Sequence, residues 1–165
     1  MNQNQGGNPI ELIGDTEIEI DQSLNVDSFI QTCKELNVDP DLIRLFGNKI
    51  GKTKGNVKLK VFGITEGNFD SILQGFLPVN YQFHIDTCLT IIVNIINKQL
   101  DGESGILPNN GRAAVFYVWS KSKVALPVIR IRRNMLHNKW KITLQRPDLY
   151  EGYMKGDVIF SNSNM

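Results

Sequence analysis

The sequence predicts an α+β fold: a single domain with a mainly antiparallel sheet, a short N-terminal helical hairpin and one or two further helices. Segments that alternate polar and apolar residues carry the sheet, above all Lys139-Trp-Lys-Ile-Thr-Leu144 and Asn56-Val-Lys-Leu-Lys-Val-Phe62. Capping residues followed by apolar positions at helical spacing carry the hairpin, with Asp39-Pro40 opening its second helix. A chain of 165 residues, 41% hydrophobic and 21% charged, suits one such domain with a proper core.

In chain order, residues 1–8 are Asn, Gln and Gly after Met1, with Met1 the only large apolar side chain, and read as a flexible tail. The domain is expected over 9–160 and a polar C-terminal tail over 161–165. Pro9–Ile20 reads as an acidic strand or two, with Ile18 and Ile20 alternating with Glu17 and Glu19. Asp27 or Ser28 can cap a first helix carrying Phe29, Ile30, Cys33 and Leu36. The second carries Leu42, Ile43, Leu45 and Phe46 and ends at Gly47. Gly47–Thr53 resembles a phosphate-binding loop but has three residues between its glycines where four are required. It also leaves a helix where that loop leaves a strand, so no nucleoside triphosphate is expected there.

After the Asn56–Phe62 strand, Glu66–Leu77 reads as a short helix closed by Pro78. Residues 82–100 fit either a helix or a strand, and their density of β-branched residues favours a buried strand. Asp101–Gly111 is a Gly/Pro/Asn loop, the expected mobile insertion. Ala113–Trp119, Val124–Ile131 and Lys139–Leu144 follow as strands, and Val158–Phe160 as a last edge strand.

Charge is the functional signal. The 35 residues from Arg112 to Arg146 hold nine Lys or Arg and no Asp or Glu. Alternation puts Trp140, Ile142 and Leu144 on one face and Lys139, Lys141 and Thr143 on the other, and one sign of charge on one face attracts anions. A solvated face answered by acids elsewhere is the alternative. The candidate anion- or nucleocapsid-binding residues are Lys121, Lys123, Arg130, Arg132, Arg133, Lys139 and Lys141, with Lys52 and Lys54 on the basic connector. Residues 1–48 carry nine acids against Lys34 and Arg44, so they cannot all be neutralised locally, and the basic sheet is their obvious complement within one chain or on a neighbour.

Other chemistry is sparse. His84 and His137 have no Cys or carboxylate at ligand spacing, so neither a metal nor a cofactor is expected. His84 reads as a half-buried strand residue and His137 as a turn residue. Cys33 and Cys88 read as lone thiols in a reducing compartment. No nucleophile motif appears, and the chain is read as non-enzymatic. No signal peptide or membrane span is expected, the apolar run Cys88–Ile96 being too short. Two binding roles compete. One is an RNA module, such as an RNA-silencing suppressor, with Tyr117, Trp119 or Trp140 stacking on bases. The other is a structural assembly protein meeting a nucleocapsid or anionic lipid. Trp140 is favoured as core.

The order of elements over 55–146 is similar to the globular core of rhabdovirus matrix proteins, particularly the small ones of plant-infecting members. It is carried by the strand Val57–Phe62, the helix Asn68–Phe76, the apolar segment Cys88–Ile96, a loop, and the basic strands Arg130–Leu144. The resemblance implies an α+β core that self-associates, condenses a nucleocapsid and contacts the inner membrane leaflet, in host cytoplasm and virion. Residues 1–8 are uncharged where better-known members have a lysine-rich arm, and no P-P-x-Y or P-T-A-P motif is present.

Overall fold

A computed structural model describes residues 7–21, 27, 31, 37–46, 55–67, 70–99, 105–119, 128–136, 139–145 and 153–163. Seven strands form one mixed sheet: β1 (Ile10–Ile18), β2 (Asn37–Val38), β3 (Val57–Ile64), β4 (Ala114–Tyr117), β5 (Val128–Asn134), β6 (Lys139–Gln145) and β7 (Val158–Asn162). Their spatial order is β1-β3-β7-β4-β5-β6-β2. Three helices accompany them among the described residues: α1 (Pro40–Phe46), α2 (Asp70–Gln74) and α3 (Ile85–Lys98).

The expected mainly antiparallel sheet with an N-terminal helical hairpin is not what forms. Asp27 and Gln31 are helical and α1 is present, but β2 stands before α1 and pairs in parallel with β6. Asp39 explains the departure. Its N–H donates to the Ile142 carbonyl (2.9 Å), one carboxylate oxygen accepts from Asp41 N–H (2.9 Å) as an N-cap, and the other accepts from Leu144 N–H (3.4 Å). One residue thus starts α1 and fastens it to the exposed edge of β6, whose backbone groups need partners.

The second parallel pair is β4 with β7. The expected edge strand at Val158–Phe160 is instead central, lying between β3 and β4 and running to Asn162, with Ile159, Phe160 and Ser161 buried. Asp157 sets its entry. Buried, it accepts from Ala113 N–H and from Met154 N–H (2.9 Å each), while Gly156 turns with φ 94°.

In place of the buried strand expected over 82–100, residues Ile85–Lys98 form the helix α3. Only Phe83 keeps an extended bridge, to Val118. Every residue of α3 from Cys88 to Ile96 is buried, packed with side chains of the sheet and with Leu42 and Leu107. Lys98 Nζ reaches the Glu19 carbonyl beyond β1 (3.3 Å), and the Gln99 carbonyl accepts from the Trp140 indole of β6 (3.3 Å). A helix covered on all sides needs no polar stripe. Its two buried polar side chains are satisfied locally: Thr90 Oγ1 donates to the Asp86 carbonyl (2.8 Å) and Asn94 Nδ2 to the Thr90 carbonyl (2.7 Å). The Asn94 oxygen also accepts from Asp21 N–H (2.8 Å).

Both sheet faces are therefore occupied. Towards α3 lie Ile18, Leu59, Phe116, Phe160, Ile131 and Trp140. On the other side, α2 and the turns around it cover Ile10, Ile64, Val115, Tyr117 and Ile159 with Leu73 and Tyr153. That cover reaches over the middle of the sheet, and β5–β6 carry the basic residues beyond it.

Candidate anion-binding face

Register decides which basic residues meet. In the antiparallel β5–β6 pair, Arg130 stands opposite Thr143, Arg132 opposite Lys141 and Asn134 opposite Lys139. The alternate positions pair Ile129 with Leu144 and Ile131 with Ile142, and these point into the core around α3. Lys139, Lys141 and Arg132 are exposed, Thr143 and Asn134 half-buried, and Arg130 is only 8% exposed.

The resulting surface is concave. A cavity of about 490 Å³ is lined by Arg130, Arg132, Arg133, Lys141, Thr143 and Gln145, together with Gly111, Asn134 and Met135, with no carboxylate among the described residues. The Arg130 guanidinium lies 4.8 Å from the centre of the Tyr153 ring, and its Nη1 donates to Gln145 Oε1 (3.4 Å). Arg133 Nη1 donates to the Asn109 carbonyl (3.3 Å), which ties the rim to the loop before β4. Like charges directly across two strands destabilise a sheet. The Arg132–Lys141 pair therefore does not serve pairing, and a bound anion would offset its repulsion.

Next to this cavity, the turn after β5 presents Met135 and Leu136 at 57% and 89% exposure. Two contiguous exposed apolar residues thus follow Arg132 and Arg133 of β5, with Lys139 and Lys141 on the returning β6. The sequence reading missed them. Their signal is a pair of large apolar residues in a turn between two basic strands.

Of the sequence-derived candidates, the fold brings together Arg130, Arg132, Arg133 and Lys141, with Lys139 at the near end of β6. Lys52, Lys54, Lys121 and Lys123 lie outside the described residues, as do Gly47–Thr53, His137 and Cys33. The basic face of β3 differs in kind. Its Lys58 and Lys60 stand opposite Glu17 and Asp15 of β1, and Lys98 pairs with Glu19 at 3.8 Å. Part of the N-terminal acidity is thus answered within the chain, by lysines that lie beyond the first 48 residues.

Trp140 is core at 1% exposure, as favoured, and Tyr117 is fully buried, so neither offers a ring to a base. Trp119 is 48% exposed, 5.6 Å from His84 between ring centres. His84 is an exposed residue at the N-terminus of α3, not a half-buried strand residue. Cys88 is buried, and burial pushes its thiol far above the usual range, leaving it neutral and unreactive. No three His, Cys, Asp or Glu side chains cluster for a metal among the described residues, and no helix among them is long and apolar enough to cross a membrane. No protein-family model, curated protein or solved structure matches the chain.

Proposed function

We propose that this chain is a non-enzymatic, matrix-like structural protein that attaches to an anionic membrane surface through the β5–β6 hairpin. The observation that carries the reading is the juxtaposition of exposed Met135 and Leu136 with Arg132, Arg133, Lys139 and Lys141. An apolar tip enters the headgroup boundary while the cations behind it meet lipid phosphates, each basic residue near such a surface contributing about 1 kcal/mol. Attachment of this kind is peripheral and suits the inner face of a virion or a host cytoplasmic leaflet. Nucleocapsid contact and self-association complete the matrix-like role. For self-association, β1 is an edge strand among the described residues and carries the exposed Glu11, a contact point for the basic face of a second copy.

One observation favours a second reading, an RNA-binding module such as a silencing suppressor: Trp119 is half exposed and could stack on a base. Sedimentation separates the two. The protein is expected to pellet with vesicles containing phosphatidylserine, to stay in solution with phosphatidylcholine alone, and to be released progressively as salt rises. Retention on RNA with none on anionic vesicles would replace the membrane reading with the RNA module.

A further inference from the structure

We propose that the cavity over Arg130 is a discrete site for a compact polyphosphorylated group, a ring bearing neighbouring phosphomonoesters such as an inositol polyphosphate. The inference rests on the reading of β5–β6 as an anion-binding face and names what that face selects. Two adjacent cross-strand pairs form its floor, Arg130 with Thr143 and Arg132 with Lys141. Side chains two apart on a strand are separated by about 7 Å and direct cross-strand neighbours by about 5 Å. This four-cornered arrangement therefore presents two guanidinium forks, an ammonium and a hydroxyl to one small object.

Arg130 is the anchor. It is only 8% exposed, its guanidinium lies over Tyr153, and Gln145 holds one of its nitrogens, so its position at the base of the cavity is fixed. A planar fork held in this way matches phosphate geometry. With Arg133 at the rim the lining carries four cations and no carboxylate among the described residues. Neighbouring phosphomonoesters, each carrying about −1.5 to −2 near neutrality, would meet the exposed, directly opposed Arg132 and Lys141.

The charge is a spot, not a track. Across the same face from β5 towards the sheet centre come Val115, Tyr117 and Ile159, covered by Leu73 and Tyr153. Beyond them Lys60 and Lys58 are opposed by Asp15 and Glu17. A nucleic-acid groove distributes its cations along a strand's length. Among the described residues these converge on one cavity.

Calorimetric titration of the full chain with inositol hexakisphosphate tests this, with inorganic phosphate and inositol hexasulfate as comparisons. One saturable site is expected, at least tenfold weaker for the sulfate and for Arg132→Gln/Lys141→Gln, a pair of exposed substitutions that spares the fold. Vesicles carrying phosphatidylinositol bisphosphate should retain more protein than phosphatidylserine vesicles of equal surface charge, which would assign the group to a lipid. Equal retention alongside tight binding of the soluble ring would assign it to a free polyphosphate. Weak binding of the soluble ring, no tighter than sulfate, would overturn the site while charge-driven vesicle retention still stood. Loss of all vesicle retention would instead remove the underlying reading.

Discussion

Replacing Arg132, Lys139 and Lys141 together by glutamate is expected to abolish retention on phosphatidylserine vesicles while leaving the melting transition in place. All three side chains are exposed and leave from the face opposite the α3 core, so no buried contact is lost. Removing three cations at about 1 kcal/mol each already weakens binding about 100-fold, and reversing them adds repulsion. Arg130 is deliberately spared. It is nearly buried and stacked on Tyr153, so changing it would mix folding with binding. Co-sedimentation beside circular dichroism checks the result, and unchanged retention would make the face an ordinary solvated one.

Trp140→Ala should produce the largest loss of stability, about 3–5 kcal/mol. The side chain is 1% exposed, packs in the core around α3, and donates its indole N–H to the Gln99 carbonyl. Gln99 in turn holds Leu107 through both ends of its amide, accepting from the N–H (2.8 Å) and donating to the carbonyl (2.9 Å). The cavity left behind would loosen β6 from α3 and the loop after it. Equilibrium denaturation measures the change, and a loss under about 1 kcal/mol would mean that β6 does not close the core through this residue.

The two predictions concern opposite faces of one strand, and that strand was the most legible part of the sequence. Lys139-Trp-Lys-Ile-Thr-Leu144 alternates because one of its faces is core and the other is not. The same logic failed at α3. The apolar positions of this segment fit a helical period as well as a strand's, and its β-branched residues Ile91, Ile92, Val93, Ile95 and Ile96 tip the reading to a buried strand. At β7, burial on both faces made a short apolar run look like an edge, since nothing in three residues reports the neighbours they will acquire. Asn37–Val38 is too short for any period, and its pairing with β6 depends on Asp39 reaching across more than a hundred residues.

The site was legible in composition and illegible in arrangement. An acid-free stretch announced the basic strands, but only register separates Arg132 beside Lys141 from Lys60 facing Asp15. The recess around Arg130 depends on Tyr153, which arrives from the far end of the chain. Met135 and Leu136 were visible as residues of a turn. Their meaning comes from exposure at the end of a basic hairpin.

Whether that tip enters a bilayer is the most direct question, and a fluorophore answers it. An environment-sensitive dye placed at Leu136→Cys, in a Cys33→Ser background, labels one position, since Cys88 is buried and its thiol unreactive. The emission is expected to shift to the blue and become shielded from an aqueous quencher on phosphatidylserine vesicles, and to remain unchanged with RNA. A dye that stays fully exposed on vesicles that nonetheless sediment the protein would contradict attachment through the β5–β6 hairpin.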